Sequence, residues 1–529
     1  MPVAWFTSRP VAHLARVGTG YQRNMRSPSR RGMSADHVVV IGAGLGGLSA
    51  ALRLVGAGRR VTVVEREDRP GGRAGILDLD GYRFDTGPTV LTMPELLDDA
   101  LACVGEELSD RVELVKVDPA YRARFADGTA IDVITDVDAM SAEIARTCSA
   151  SDADGYRRMV TFLEKMYRIE RHDFIDRNLD SVTDFIGPSA VNALKLLALG
   201  GLRRLDGRIG DFVKDDRLRR IFSFQAMYAG LAPHDARAIY SVIAYMDCVK
   251  GVWFPKGGMS AVPAALAAAA ADAGVEFRYG TSATRIETSG DRAVAVHTAD
   301  GERIAADAVV VNADLPVAYR ELLDPQYTPR GVKRLTYSPS CVLLHVGSSA
   351  TFPDTAHHTI DFGHAWQQTF DQIIKTGQTM SDPSFLVSNP SQTDPSLAPD
   401  GKQTYYVLFP CPNTITGAHI DWATEGPRYR DEMVATLERR GFPGFGDAIE
   451  VERLVTPADW QAMGLAAGAP FAAAHTLRQT GPLRRPTLDP KLGNVVFCGS
   501  NTQPGVGVPM VLLSGRLAAQ RIVGDRAAA

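Results

Sequence analysis

Two glycine-rich segments at opposite ends of the chain constrain its fold more than any other feature. The first is VVVIGAGLGGLSAA, from Val38 to Ala51, and the second is NVVFCGSNTQPGVGVPMVLLSG, from Asn494 to Gly515. In the first segment an apolar run typical of a β-strand leads directly into Gly42, and a helical pattern follows. This order of strand, glycine turn and helix predicts a Rossmann-type α/β domain that binds a dinucleotide.

The spacing of the glycines in the first segment has a physical reason. Gly42 permits a tight turn, Gly44 lets the backbone approach a pyrophosphate, and Gly47 lets the helix pack closely on the sheet. The pyrophosphate would then lie at the positive end of that helix. Glu65 ends a second apolar run, where its carboxylate is placed to accept hydrogen bonds from a ribose. We therefore predict an adenine dinucleotide.

A third glycine motif, RPGGRAG, follows Glu65 and indicates which dinucleotide is bound. A nicotinamide enzyme has no need of this segment. Gly71 and Gly72 suit a backbone pressed against the rest of a longer cofactor, and Arg73 offers planar donors to phosphate or flavin oxygens. The motif favours a flavin, although a plain surface turn with Arg73 in solvent remains the alternative.

Composition is that of a large globular enzyme. A chain of 529 residues predicts two domains, and its 45% hydrophobic content is ample to fill both cores. The formal charge of -4 and the absence of a nucleic-acid-binding motif give no reason to expect nucleic acid as a partner. The six cysteines form no CxxC pair, so we expect no disulfide framework, no metal site and a reducing, cytoplasmic location.

Residues 1–34 differ from the rest of the chain. They hold six arginines and no acidic residue, and they lack the apolar core of a secretory signal. We expect an extension outside the fold, which is either an organelle transit peptide or an over-extended start preceding Met33. Elsewhere the stretch richest in small apolar residues runs from Ala261 to Ala271 and stops at Asp272. This stretch is too short to cross a bilayer, so we expect no transmembrane helix.

The order of periodic segments predicts a discontinuous flavin-binding domain of Rossmann type with an inserted α+β substrate domain. Helical periodicity dominates from about residue 131 to 249, and strand-like runs return after it. We assign residues 36–130, 250–330 and 481–525 to the flavin-binding domain. Residues 131–249 form a helical, membrane-facing part of the substrate domain, and residues 331–480 form its second part.

Five further blocks identify a family. They are GVWFPKGGM at Gly251, ADAVVVNADLPVAY at Ala306, HHTIDFG at His357, TDPSLAPDG at Thr393 and PGVGVP at Pro504. Together with the first motif they resemble the bacterial and fungal type of phytoene desaturase, a branch of the flavin amine oxidase superfamily. The resemblance covers nearly all of residues 36–525.

The resemblance implies a glutathione-reductase-like domain with a noncovalently held FAD and a long apolar tunnel. It also implies stepwise introduction of double bonds into a C40 isoprenoid. Phytoene would become lycopene or a partly desaturated intermediate such as neurosporene, and a quinone or oxygen would reoxidise the flavin. The predicted cofactor-binding residues are Gly42, Gly44, Gly47, Glu65, Gly71, Gly72, Arg73, Gly87, Pro88, Thr89, Gly499, Gly505, Gly507, Val508 and Pro509.

The proton that leaves during such a reaction needs an acceptor, and a carboxylate near the flavin is the natural choice. Asp184, in the polar segment SVTDF, is the candidate that we select from the sequence, with helix capping as its alternative role. His357, His358 and His364 are interpreted as hydrogen-bonded residues at a strand end and not as metal ligands.

A C40 hydrocarbon has to be drawn from a membrane, so we also expect peripheral membrane association. Residues 191–220 place apolar side chains among eight Lys or Arg and four Asp residues, a composition suited to an anionic lipid interface. An ordinary helix pair with its apolar stripe in the core is an equally good interpretation of the same pattern.

Three other functions fit parts of the sequence. A carotenoid ketolase, or a desaturase of already functionalised carotenoids, would differ at only a few tunnel residues and is the main alternative. A flavin amine oxidase should carry an aromatic pair beside the flavin, and the C-terminal block here reads SNTQPGVGVPM instead. A non-catalytic prenyl-binding escort protein would have no reason to retain the glycine motifs.

Overall fold

The computed structural model describes residues 33, 35–181, 184 and 188–524. Apart from Met33, the predicted N-terminal extension lies outside the described residues. The strands of the described part are β1 (His37–Ile41), β2 (Arg60–Val64), β3 (Ile76–Leu79), β4 (Tyr82–Asp85), β5 (Leu114–Val117), β6 (Tyr121–Phe125), β7 (Ala130–Val133), β8 (Val252–Pro255), β9 (Glu276–Arg278), β10 (Ala283–Ser289), β11 (Arg292–Thr298), β12 (Arg303–Ala305), β13 (Ala308–Val311), β14 (Ser340–Ser348), β15 (His358–Phe362), β16 (Phe385–Ser388), β17 (Gln403–Cys411), β18 (Ile449–Val455) and β19 (Val495–Phe497).

The α-helices of the same part of the chain are α1 (Leu45–Gly56), α2 (Glu95–Leu101), α3 (Leu108–Arg111), α4 (Val137–Thr147), α5 (Ala150–Glu170), α6 (Pro188–Ala198), α7 (Leu205–Ile209), α8 (Asp216–Ile221), α9 (Ser241–Tyr245), α10 (Ala261–Asp272), α11 (Leu315–Glu321), α12 (Gln367–Asp371), α13 (Trp422–Arg439), α14 (Pro457–Ala462) and α15 (Val508–Val523). Among these described helices, none combines the length and the apolar character that crossing a bilayer requires.

A five-stranded parallel sheet forms the first half of the molecule. Its order is β19-β13-β1-β2-β9, and every neighbouring pair is parallel. Parallel sheets are covered on both faces, which explains why β13 is an unbroken apolar run and why β1 is apolar from Val38 to Ile41. Val38 and Val40 pack with α1, α10 and α15, whereas Val39 and Ile41 pack with β11, β12 and α11 on the other face. The sheet matches the predicted fold class.

The second half of the molecule is built on a seven-stranded mixed sheet with the order β18-β14-β17-β16-β15-β6-β7. The boundary predicted at residue 130 is wrong here. Residues 121–125 were assigned to the FAD-binding domain, but β6 pairs with β15 in the seven-stranded sheet. The reason is alternation: Tyr121, Ala123 and Phe125 point inward and join the same apolar cluster as the helical segment.

The helical segment packs against one side of this sheet. Its longest helix, α5, starts at Ser149, whose side chain accepts a hydrogen bond from the N–H of Asp152. Tyr156, Met159 and Leu163 are buried one turn apart, as expected for an amphipathic helix. The helix ends at Glu170, where a π-helical turn from Arg171 to Ile175 takes over. The last turn of α5 therefore lies at the boundary between the two halves.

Candidate functional site

One large cavity, of about 1800 Å³, lies between the parallel sheet and the seven-stranded sheet. Both glycine-rich segments line one part of it. Aromatic and aliphatic side chains from the helical segment and the second sheet line the other part. We call these parts the glycine-lined end and the apolar chamber. The predicted cofactor-binding residues line the cavity with two exceptions, Gly47 and Gly505.

The turn after β1 is shaped by the first glycines. Gly42 has φ of +99°, a conformation that other residues rarely adopt. A Cβ at Gly47 would collide with the carbonyl oxygen of Gly42, so Gly47 is needed for close packing of α1 and not for contact with the cavity. The helix then begins at Leu45 without a side-chain cap, which leaves its first backbone N–H groups free to bind an anion.

Asn312, which we did not select from the sequence, braces this turn from the end of β13. Its Nδ2 donates to the carbonyl oxygen of Gly42 over 3.4 Å, and its Oδ1 accepts from Cys498 Sγ over 3.4 Å. A Cβ at Gly44 would lie 2.7 Å from Asn312 Nδ2. The residue lies at the carboxyl edge of the parallel sheet, which is the position that could have identified it.

Glu65 lies at the end of β2 with its carboxylate buried against the glycine turn. Oε2 accepts from the N–H of Ala43 over 2.6 Å, and Oε1 accepts from the N–H of Glu67 over 3.0 Å. A carboxylate has about four acceptor positions, so two remain for the hydroxyls of a ribose. The backbone bonds fix the orientation of the carboxylate in advance.

The RPGGRAG segment runs alongside the glycine turn. Gly71 pairs with Gly44 in an isolated parallel bridge and has φ of +133°. Arg73 Nη1 donates to the carbonyl oxygen of Pro470 over 2.6 Å, and Nη2 donates to Ser500 Oγ over 2.5 Å. Arg73 therefore ties the RPGGRAG segment to the loop that contains Pro470 and to the C-terminal glycine block, and it lines the cavity.

The segment from Gly87 to Thr89 is held in place by side chains of the seven-stranded sheet. Tyr406 donates to the carbonyl oxygen of Gly87 over 2.8 Å, and His358 Nε2 pairs with the carbonyl oxygen of Thr89 over 3.1 Å. His345 Nε2 pairs in the same way with the backbone carbonyl oxygen of Asp85 over 3.0 Å. Burial lowers the pKa of both histidines to about 4, so they are neutral and structural.

The C-terminal glycine block completes the glycine-lined end. Gly499 and Gly507 have φ of +107° and +111°, and α15 begins directly after Gly507 without a side-chain cap. Gly505 has a different role from the predicted one. A Cβ there would collide with the ring of His475, so Gly505 allows that histidine to pack against the block. Val508 and Pro509 line the cavity at the start of α15.

Asp184 does not reach the cavity. Its Oδ2 accepts from the N–H of Asp180 over 2.6 Å and from the N–H of Ser181 over 2.9 Å. These are capping interactions within a local turn, because both donors lie within four residues of the acceptor. The assignment of Asp184 as proton acceptor is withdrawn for this reason.

Several other carboxyl groups line the cavity, and three of them have pKa values raised by burial and were missed from the sequence. Asp314 accepts from Asn501 Nδ2 over 2.7 Å, and burial raises its pKa to about 6 although Arg73 opposes the shift. Asp247 accepts from the hydroxyl of Tyr121 over 3.1 Å, and burial raises its pKa to about 7. The third is Glu170, at the end of α5. Asp314 lies in the block ADAVVVNADLPVAY, which could have identified it, whereas Asp247 and Glu170 belong to no motif quoted above.

The apolar chamber is formed mainly by large side chains from four elements. Phe224 contacts Phe362 edge-on, with ring centroids 6.0 Å apart, and Trp366 packs against Phe370 at 4.7 Å. Leu408 from β17 also lines the chamber. Such a chamber excludes water and offers dispersion contacts along a hydrocarbon chain.

The model of the family described as flavin containing amine oxidoreductase matches residues 45–523 of the chain. The chain belongs to this family. A phytoene dehydrogenase from Streptomyces griseus is 58% identical over 494 residues, covering 93% of this chain and 96% of that protein. A lycopene-forming phytoene desaturase from Paracoccus sp. is 34% identical, covering 96% and 100% respectively. These relatives confirm the carotenoid desaturase resemblance.

Solved structures support the fold of this family member. An oxidoreductase from Methanosarcina mazei superposes with a TM-score of 0.60 at 18% identity, covering 90% of this chain and 98% of that one. At that identity the likeness concerns the fold alone. Membership of the flavin family confirms the predicted cofactor, FAD, and the assignment as an oxidoreductase.

The residues at the glycine-lined end fit this cofactor. Glu65 is placed for the ribose, the uncapped start of α1 for the pyrophosphate, and the uncapped start of α15 for the electron-rich edge of the ring. Asp314 Oδ1 is buried and has no hydrogen-bond partner among the described residues, which indicates that a further donor belongs beside it. When bound, FAD supplies a two-electron oxidant that takes up hydride.

Proposed function

We propose that this protein is an FAD-dependent desaturase that introduces conjugated double bonds into phytoene, forming neurosporene or lycopene. The observation that carries the proposal is the continuity of the cavity from the glycine-lined end into the apolar chamber. A hydrocarbon in the chamber can place its chain against the flavin ring without meeting water. The curated relatives reported above support the same substrate.

The chain's own residues have a limited task in this reaction. They hold the cofactor, align the hydrocarbon and keep water away from the reacting carbons. The conjugated system of the substrate spreads the positive charge that develops when a hydride leaves. The protein therefore needs no catalytic triad, and one proton acceptor at the cavity wall is sufficient.

Incubation of liposome-bound protein with FAD and phytoene tests this function. Each added conjugated bond shifts the absorption of the product to longer wavelength, so the spectrum counts the steps. Parallel incubations with a quinone under anoxic conditions and with oxygen alone test which acceptor reoxidises the flavin. An unchanged spectrum under both conditions, with FAD bound, would contradict the proposal.

We further propose that the rim of the cavity docks on a lipid surface. Leu197, Leu202, Leu477 and Leu483 line the cavity, and each is about half exposed. Leu194, on the same helix as Leu197, is 64% exposed. Clustered exposed leucines at a cavity entrance are suited to contact with acyl chains, from which a hydrocarbon could enter.

This docking surface is narrower than residues 191–220, the range that we selected from the sequence. Leu205, Ile209 and Leu218 are buried in the core of the helical segment. Most of the basic side chains are paired with acidic ones, as Arg203 and Arg208 are with Asp211. Docking by residues 191–202 therefore depends on apolar contact more than on charge.

Flotation with liposomes tests the docking surface. The double variant Leu194→Asp and Leu197→Asp is expected to lose lipid binding while retaining FAD and its melting temperature. Ile415→Asp is the matched control, because Ile415 is equally exposed and does not line the cavity. Lipid binding that survives in the folded double variant would contradict this role. Leu196 is unsuitable for the test because it is buried.

A further inference from the structure

Glu170 is an unusual group in the cavity wall. Only 7% of the residue is exposed, and it lines the cavity. Its Oε1 has no hydrogen-bond partner among the described residues. Buried carboxyl groups are normally hydrogen-bonded, because an unpaired polar atom in an apolar environment costs free energy. An unpaired carboxyl group in the wall of a ligand cavity therefore suggests a task toward the ligand.

The surroundings of Glu170 place it at the glycine-lined end of the cavity. Burial raises the pKa of Tyr240 to about 12, and the nearby charge of Glu170 adds to the shift. The Tyr240 hydroxyl donates to the carbonyl oxygen of His475 over 2.6 Å. His475 packs directly against Gly505 in the C-terminal block. Two hydrogen bonds between Leu179 and Gln503, at 3.0 and 2.6 Å, tie the chain that follows α5 to the same block.

We propose that Glu170 is the catalytic residue that accepts the proton released when each double bond forms. This inference rests on the proposed desaturation. One carbon of a saturated CH₂–CH₂ unit loses hydrogen with both bonding electrons, and the oxidised flavin is the oxidant. The adjacent carbon loses a proton to the Glu170 carboxylate, and the electron pair of that C–H bond becomes the new π bond. Glu170 returns the proton to water between turnovers.

The other candidate acceptors are less suited. Asp247 already accepts the hydroxyl of Tyr121. Asp314 accepts the amide of Asn501 and lies beside Arg73, whose positive charge lowers the affinity of that carboxylate for a proton. The Nε2 of His475 is unpaired, but that edge of the ring abuts the backbone of Gly505. Glu170 combines a free oxygen with a place in the cavity wall.

The ionisation of Glu170 sets the expected pH dependence. Burial raises the pKa of Glu170 well above its ordinary value. The titratable and charged groups around it are Tyr240 and, beyond that residue, His475 and Arg484; Arg171 follows on its own helix. Because the carboxylate is the reactive form, the rate should rise with pH until Glu170 is ionised.

Steady-state kinetics of Glu170→Gln on liposomes with FAD and phytoene test the assignment. We expect kcat to fall about a hundredfold, the scale of general-base catalysis, with KM for phytoene nearly unchanged. The rise of rate with pH should disappear. Glu164→Gln is the matched control, since Glu164 lies on the same helix, is 40% exposed and pairs with Arg168. Wild-type kcat and an unchanged pH profile in Glu170→Gln would overturn the proposal.

Infrared spectroscopy of the resting protein gives a readout that does not require turnover. The pH-difference spectrum of wild type should contain a carbonyl band from a protonated carboxyl group that is absent in Glu170→Gln and present in Glu164→Gln. Identical spectra would overturn the proposal even if wild type formed no coloured product, an outcome that would contradict the proposed function separately. If Glu170→Gln failed to hold FAD, Glu170→Asp would serve as the second variant. Its rate should be lower than that of wild type but should still rise with pH. A rate that did not depend on pH in Glu170→Asp would count against Glu170.

Discussion

The glycine-lined end and the apolar chamber of the same cavity are specified in different ways. At the glycine-lined end the constraint falls on the backbone: Gly42, Gly71 and Gly507 have positive φ values, and Gly47 has no space for a side chain. In the chamber the constraint falls on side-chain volume, supplied by residues such as Phe362. A backbone constraint admits few residue types, whereas a volume constraint is met by many combinations.

The difference predicts separable effects of substitution. Changes at the glycine-lined end should reduce FAD binding, and changes in the chamber should alter hydrocarbon handling while FAD stays bound. A substitution in the apolar chamber that reduced FAD binding would show that the two ends of the cavity are coupled.

The largest effect is expected for Gly47→Ala. The new Cβ would collide with the carbonyl oxygen of Gly42, and a backbone atom cannot move aside without displacing the turn. We expect loss of the yellow colour and destabilisation of about 3 kcal/mol, measured by flavin absorbance and chemical unfolding. Gly207→Ala, where a Cβ meets nothing within 4 Å, should behave as wild type. Full FAD content in Gly47→Ala would show that the turn tolerates displacement.

A smaller effect is expected for Asn312→Ala. The substitution removes the hydrogen bond from Asn312 to the carbonyl oxygen of Gly42 and the side chain that packs beside Gly44. The glycines themselves are unchanged. FAD affinity should weaken about tenfold, a loss of about 1.4 kcal/mol, measured by titration of the flavin-free protein. Unaltered affinity would mean that the glycine turn holds its geometry without side-chain support.

Trp366→Ala tests the apolar chamber. The substitution removes a half-buried indole that packs on Phe370 and lies under Arg220. FAD content should remain that of wild type, while kcat/KM for phytoene falls about tenfold because apolar contacts with the hydrocarbon are lost. Reduced FAD content in this variant would contradict the separation of the two ends.

A further prediction, for Asp247→Asn, concerns the pH dependence of stability. Burial raises the pKa of Asp247 from 3.8 to about 7. Between these values the folded state holds the proton and the unfolded state releases it. The free energy of unfolding should therefore fall as pH rises through that window, by at most about 1.4 kcal/mol per pH unit from this group.

Asp247→Asn retains an acceptor for Tyr121 and cannot ionise, so its stability should vary less with pH than that of wild type. Denaturant unfolding at pH 5 and at pH 8 measures the difference. If the free energy of unfolding changed equally with pH in the two proteins, Asp247 would already be solvated through the cavity.

Sequence information was sufficient where the backbone imposes the requirement. The strand, turn and helix around Gly42 were predicted correctly. Glu65 follows directly from its position after β2. These features depend on residues that are neighbours in the chain, so their spacing is visible in the sequence.

The remaining site residues come together only through tertiary contacts. Asn312, Glu170 and Asp247 lie far apart in the chain, and each resembles an ordinary residue at the end of its element. The sequence also offered no means to foresee the corrections at Asp184 and at β6. Asp184 stood in a polar segment whose hydrogen bonds are local, and the pairing of β6 with β15 joins residues more than two hundred positions apart.

The parallel sheet has a consequence for the timing of folding. Its strands come from residues 37–64, 276–311 and 495–497, and β19 closes the edge beside β13. During synthesis the first two strands leave the ribosome long before their last partner does, and domains acquire structure as their segments become available. A nascent chain therefore cannot acquire its coloured prosthetic group until β19 and α15 have emerged. Premature termination only a few dozen codons early would yield a polypeptide that is nearly full length yet colourless.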